Sequence, residues 1–328
     1  MKRMLRSATR LLTLAALAAC GNAGADRTVG ITATGSVRGA MFLDANGSGT
    51  RDAGDLAAVG VRVALVTPLR RDTLRRATTD ANGDFDLGAV PVGSYEVVLD
   101  PASVGDSVEV QGVDGVQLTL APDQALELTG RLAYPRRTAL QLRSDPLGRR
   151  VFLEGVALHG YGTYSDTLLH VTDTTGALRA ARVRPSVVSA GDSVRLRGRI
   201  AERDGQRVLD DVTVFILGGA LLPTSPVVTT QQAANASAGA LDAAIVRLFD
   251  VPIIDTATVL GSLRLEVNDG SGPLTVVLDR VADAAFRPPF LAGQWDAGER
   301  FDFVGVLVPL APGTWALRPR NAFDLTPR

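Results

Sequence analysis

The sequence predicts an all-β protein built from several modules, and three observations predict it. Apolar runs are short, rich in Val, Leu and Thr, and in places alternate with polar residues at a period of two. Gly (34) and Pro (17) recur between these runs as turn punctuation. Aromatic residues make up only 5% of the chain, and 328 residues are enough for two to three separate cores.

Composition also excludes chemistry. A formal net charge of −1 provides no global field that would steer the chain to nucleic acid or membrane. The single lysine is Lys2, so no lysine nucleophile, Schiff base or phosphate-loop lysine exists beyond the first residues. The single cysteine, Cys20, can form no internal disulfide and no thiolate metal cluster.

Residues 1–20 divide into a basic segment (Lys2, Arg3, Arg6, Arg10) and an uncharged, mostly apolar run, Leu11–Ala19, before Cys20. That run is too short to span a bilayer and reads as a signal peptide. Leu17-Ala18-Ala19-Cys20 resembles the lipobox of bacterial lipoproteins. The resemblance implies cleavage before Cys20, acylation of its thiol and a membrane partner reached through a lipid anchor. The expected location is the cell envelope, at the outer membrane or cell surface. Residues 21–35 are small, polar and turn-rich, the composition of a tether.

The first module is expected over residues 36–131. Its notable stretch is Phe42–Asp55, where oxygen-bearing side chains fall at Asp44, Asn46, Ser48, Thr50, Asp52 and Asp55. This is the 1, 3, 5, 7, 9, 12 spacing of an EF-hand-type loop, with Gly49 at position 6 for the sharp turn. The expectation is a structural Ca²⁺ ion. Asp55 is shorter than the usual Glu at position 12, so binding should be weak, on the order of 10⁻⁴ to 10⁻³ M. The alternative is a solvated turn. Val61, Val63 and Leu65 alternate with Arg62 and Ala64 as a half-buried strand does. Strands are also read at Val37–Leu43, Thr73–Thr79, Asp84–Leu87 and Tyr95–Leu99. Asp80 to Asp86, containing Asn82-Gly83, read as a hairpin turn rather than a second metal loop.

Four stretches resemble, in order, the B-type domains of serine-aspartate repeat (SdrD) surface proteins and their Cna-B relatives. They begin at Gly39, Gly60, Thr78 and Pro91. The resemblance covers roughly residues 36–100 and implies a prealbumin-like β-sandwich that binds calcium and acts as a spacer. The Lys–Asn isopeptide bond of many Cna-B domains cannot form here, because the module contains no lysine.

The rest of the chain repeats itself. Val151-Phe-Leu-Glu parallels Val246-Arg-Leu-Phe, Asp173-Thr-Thr-Gly parallels Asp269-Gly-Ser-Gly, and Gly191-Asp-Ser-Val parallels Gly298-Glu-Arg-Phe. The second copy is longer by a loop insertion around Phe286-Arg-Pro-Pro-Phe290. Each copy reads as five strands, with glycine in the first or fourth as a bulge or barrel corner. The fifth strand of the first copy is expected at Val212–Leu217. This resembles the OB-fold, a five-stranded Greek-key barrel, and more narrowly the tandem OB modules of secreted bacterial proteins. The expected boundaries are 132–218 and 219–328, with a Pro-punctuated linker at Leu222–Pro226 and a short helix within Thr229–Ala244.

No catalytic constellation stands out, and no enzyme is expected. The two histidines, His159 and His170, have no cysteine or carboxylate at ligand spacing and read as loop or barrel residues. Gly191-Asp-Ser193 and Gly105-Asp-Ser107 read as turns into strands. Candidate ligand-binding residues lie in the first copy. Arg195, Arg197 and Arg199 share one strand face opposite Val194, Leu196 and Ile200, and Tyr161 and Tyr164 follow the first strand. Residues 132–218 hold thirteen Arg against nine Asp or Glu, while residues 219–328 hold eight against eleven. The leading expectation is a non-enzymatic, calcium-stabilised binding or scaffold protein of the adhesion type, with an envelope polysaccharide or protein as partner. The alternative is a polyanion or nucleic-acid binder acting through the first barrel, accessory to extracellular DNA handling. A degenerate enzyme subunit is the third reading.

Overall fold

The computed structural model describes residues 33–328, apart from 106, 165–166 and 288–294. The leader, Cys20 and most of the tether lie outside the described residues, as does part of the Phe286–Phe290 insertion. Among the described residues no helix is long and apolar enough to cross a membrane.

The fold is all-β: a sandwich followed by two five-stranded barrels. One sheet of the sandwich centres on β1 (Thr34–Asp44). Strands β2 (Leu56–Ala57) and β5 (Asp84–Pro91) pair antiparallel with successive stretches of one edge. Strand β9 (Ala125–Ala133) runs parallel along the other edge and carries β7 (Glu109–Gln111) beside it. The second sheet has the order β4 (Thr73–Thr78), β3 (Arg62–Val66), β6 (Gly93–Leu99), β8 (Gln117–Leu120). A short helix, α1 (Pro101–Val104), follows β6. Val63 and Leu65 of β3 and Tyr95, Val97 and Leu99 of β6 bury their alternate side chains against Val37, Met41, Phe85 and Leu87 of the other sheet. This is the period of two, with one face buried.

The first barrel closes in the order β10 (Arg150–Ala157), β11 (Leu168–Asp173), β12 (Gly176–Ala181), β14 (Gln206–Gly219), β13 (Asp192–Arg203) and back to β10. The second repeats it with β15 (Ile245–Val259), β16 (Ser262–Val267), β17 (Leu274–Leu278), β19 (Thr314–Arg318) and β18 (Arg300–Ala311), closing through β15–β18. In both copies the third and fifth strands pair parallel and the other pairings in the ring are antiparallel. That is the OB connectivity. Strand β20 (Leu325–Pro327) adds to β18. Each of the three modules has its own apolar core.

The repeated motifs acquire physical roles. Helices α2 (Ala139–Leu142) and α3 (Thr230–Ala234) precede the two barrels, capped by Thr138 and Thr229 in capping boxes with Gln141 and Gln232. The amide of Ala139 donates to Asp173, and that of Thr230 donates to Asp269. The repeated Asp-x-x-Gly hairpin therefore holds a helix N-terminus in each copy. Gly198 sits at the register shift between Arg197 and Arg199, where a Cβ would lie 2.6 Å from Leu209.

Several expectations need correction. β14 is much longer than Val212–Leu217, because it pairs with β13 from Gln206 to Gly219. β9 runs to Ala133, so a boundary at 131/132 cuts a strand. Strands β2, β7, β8 and β9 and helix α2 carried no strong local signal. They are short or only partly buried, and tertiary pairing sets them.

Candidate functional site

The Asp44–Asp55 loop leaves β1 and turns back on itself. Asp44 is fully buried, and its two oxygens accept from the amides of Ser48 (3.0 Å) and Gly49 (2.9 Å). The Arg131 guanidinium of β9 lies 2.7 Å from the second oxygen. Asp55 accepts from the amides of Ala45 and Asp52. Asp52 accepts from the amide of Gly54, the side-chain amide of Asn46 and the hydroxyl of Ser48. These bonds hold its carboxyl below the usual range, that from Asn46 most of all. The Thr50 carbonyl lies 2.9 Å from the Ser48 hydroxyl and competes for its single proton.

Every carboxylate oxygen of the loop thus has an N–H or O–H donor, and Asp44 has a guanidinium as well. Among the described residues no three His, Cys, Asp or Glu side chains gather as a metal would require. As folded, the side chains of Asp44, Asp52 and Asp55 turn to hydrogen-bond donors within the loop, and that of Asp44 also to Arg131, rather than converging on one point.

The outer edge of this loop meets the first barrel. Three consecutive carbonyls each accept from an arginine: Ala45 from Arg197, Asn46 from Arg195 (2.9 Å) and Gly47 from Arg136 (3.1 Å). Gly47 has φ +74°, and a Cβ there would approach Arg195 and Phe152 to 3.1 and 3.3 Å. Glycine lets the chain lie flat on the arginines. Glu154 pairs with Arg195 at 2.7 Å and with Arg136 at 3.1 Å.

The expected alternation on β13 is present: Val194, Leu196 and Ile200 are buried, and Arg195, Arg197 and Arg199 face outward. Their availability differs from expectation. Arg195 and Arg197 are committed to the loop carbonyls, and only Arg199 is exposed. Arg197 lies over the Phe215 ring at 5.7 Å. Burial lowers its pKa first, and Arg150 and Arg184 lower it further by repulsion. Around this row sit residues the sequence reading missed. Arg150 lies over Tyr134 at 5.9 Å and stands opposite Arg199 in the β10–β13 register. Asp211 is shared by Arg184 (3.5 Å) and Arg150 (3.9 Å). The available signal was cross-strand register, which places Phe215 beside Arg195, and a single sequence does not display register.

The tyrosines lie elsewhere. Tyr161 packs against the core of the first barrel. Tyr164 is buried in the seam between barrels, with its hydroxyl donating to the Arg318 carbonyl at 2.6 Å and the Arg318 guanidinium over its ring at 4.4 Å. Neither joins the arginine row. His159 and His170, also buried, meet in the same seam. The seam is completed by Leu158, Ile245, Val306 and Val308, and by Arg320 donating to the Leu158 carbonyl.

A groove of about 690 Å³ beside the row is lined by Arg136, Arg137, Gln141, Glu154, Asp173 and Leu221, among others. Its charged groups are largely engaged with one another, with Asp145 or with α2.

No protein-family model and no curated protein matches the chain. Solved structures with a similar chain path include the Ifi202 HINa domain in complex with double-stranded DNA, at 10% identity and TM-score 0.27, covering 56% of this chain and 97% of that one. A murine DNA binding protein bound to double-stranded DNA matches at 9% identity and TM-score 0.27, covering 54% and 97%. PA1324 of Pseudomonas aeruginosa, named for a conjectured carbohydrate-binding role, matches at 20% identity and TM-score 0.18, covering 30% and 88%.

Proposed function

We propose that this chain is a non-enzymatic polyanion-binding protein, with a nucleic-acid strand as the favoured ligand. The observation that supports this is the charge imbalance around Asp211. Arg150 and Arg184 share that one carboxylate, and Arg199 beside them has no ion pair among the described residues. Tyr134 and Phe215 flank the row. Guanidinium groups next to aromatic rings on a barrel face suit a phosphate backbone with stackable bases.

The test is a salt titration of the full chain with a labelled single-stranded oligonucleotide and, in parallel, an acidic polysaccharide. Affinity for the oligonucleotide should fall linearly with the logarithm of salt concentration. Preference for the polysaccharide would change the ligand class, and absence of binding to either would overturn the reading.

The leader favours a second, compatible element: attachment to the cell envelope through Cys20, with the sandwich as an SdrD B-like spacer beneath the barrels. Comparing membrane and soluble fractions of the native protein tests it.

A further inference from the structure

The run of three carbonyls on three arginines has a consequence for the same surface. Arg136, Arg195 and Arg197 form a row of guanidinium groups, two of them on alternate residues of one strand and therefore about 7 Å apart. An extended chain of acceptors is what such a row binds. Here the acceptors come from the protein itself, as Ala45, Asn46 and Gly47. What holds that edge in shape is the buried carboxylate of Asp44, tied to the amides of Ser48 and Gly49 and to Arg131. Arg131 is itself fixed by Gln111 of β7. The guanidinium thus supplies the positive charge beside Asp44, the first residue of the calcium-loop spacing.

We propose that the Asp44–Asp55 loop is a built-in occupant of the arginine row, closed by Arg131 in place of a metal ion, and that it keeps Arg195 and Arg197 from external polyanions. The occupancy rests on geometry alone, while its regulatory effect rests on the polyanion reading above. The bond between Asp44 and Arg131 is charge-assisted and one partner is fully buried, so its loss should loosen the loop strongly. Without the guanidinium, Asp44 keeps its two amide donors but becomes a buried carboxylate without a counter-charge. A divalent cation could then take the place that Arg131 holds in the native protein.

The experiment uses the full chain as wild type, Arg131→Gln and Arg131→Lys. Amide exchange over residues 45–50 and the melting temperature are read in chelator and in millimolar calcium. Loss of one charged hydrogen bond predicts exchange about tenfold faster in Arg131→Gln under chelator. Calcium should restore part of that protection, wild type should not respond to calcium, and Arg131→Lys should stay near wild type. In chelator, Arg131→Gln should also bind a fluorescein-labelled oligothymidylate more tightly than wild type, and the gain should vanish when Arg195→Gln and Arg197→Gln are added. Unchanged exchange in Arg131→Gln, or a calcium response in wild type as large as in the variant, would overturn the proposal. Faster exchange with no oligonucleotide binding by any form would overturn the polyanion reading and its regulation, and support the Arg131 closure alone.

Discussion

Nε2 of His159 lies 2.9 Å from Nδ1 of His170, in the seam where the two barrels meet. The Gly160 carbonyl, 2.9 Å from Nδ1 of His159, can only accept a hydrogen bond. The His159 proton therefore sits on Nδ1, and its Nε2 accepts from Nδ1–H of His170. Both rings are neutral in this arrangement. Burial is the main reason: it lowers the pKa of His159 to about 4 and that of His170 well below its ordinary value. Arg318 lowers both further, Arg320 acts on His159, and His159 and Arg179 act on His170. Tyr164 packs edge-on against both rings.

Acid should therefore weaken the barrels before it reaches the carboxylates. A histidine whose folded pKa is depressed leaves the unfolded state binding more protons as pH falls below about 6.5. The stabilisation is complete above that value and is lost progressively down to pH about 4 for His159. At full extent this group alone is worth roughly 3 kcal/mol. Asp210 and Asp302, held below the ordinary carboxylate range, lose their contributions only at lower pH. Asp242, raised by burial, acts in the opposite sense at the acid end. Denaturant melts of the full chain from pH 7 to 4 should show falling stability, and a His159→Phe/His170→Leu variant should show a flatter profile. Equal slopes would refute the assignment.

Strand glycines should be costly to replace where backbones touch. A Cβ on Gly155 would lie 2.4 Å from the Thr172 carbonyl oxygen, and one on Gly305 would lie 2.7 Å from the Arg318 backbone. Neither obstacle is a flexible side-chain tip. Gly155→Ala and Gly305→Ala should each cost about 1–3 kcal/mol in urea melts. Gly219, outside the left-handed region with open space around it, should accept alanine without loss.

These glycines show what the sequence could reveal. Gly305 and its counterpart Gly198, like Asp173 and Asp269, were legible because both copies carry them at matching places. Alternation exposed the faces of β3 and β13 for the same local reason. The seams were not legible. Tyr164 reads as an exposed loop aromatic until Arg318, far along the chain, is placed against it. Arg195 and Arg197 read as a free face until Asn46 and Ala45 arrive from another module. His159 and His170 are eleven residues apart, and only the β10–β11 pairing makes them neighbours. The Asp44 loop is a like case: its spacing is local, but the cation paired with Asp44 is Arg131, from a distant strand.

The anchor prediction concerns a residue outside the described part of the chain. Acylation requires the Cys20 thiol, and several acyl chains would hold the protein durably at a membrane. Cys20→Ser should move the protein from the salt-washed membrane fraction to the soluble fraction. Retention of the variant in the membrane fraction would remove the lipid anchor from the proposal.

The arginine face yields the most discriminating prediction, because it assigns residue-specific salt slopes. Each phosphate contact to a single strand contributes about 0.7 to the slope of log affinity against log salt. Arg199 is exposed without an ion pair among the described residues, and Arg184 is exposed with one weak partner at 3.5 Å. Arg199→Gln and Arg184→Gln should therefore each lower the slope by about 0.7. They should leave stability nearly unchanged, since exposed pairs contribute little to it. Arg195→Gln in the native background should behave differently. It loses contacts to Asn46 and Glu154, so stability should fall while the slope stays near that of the native chain. Arg280→Gln on the second barrel, also exposed, should change neither. Equal slopes for Arg199→Gln, Arg184→Gln and Arg280→Gln would mean that the basic surface is ordinary solvated charge and that the ligand lies elsewhere.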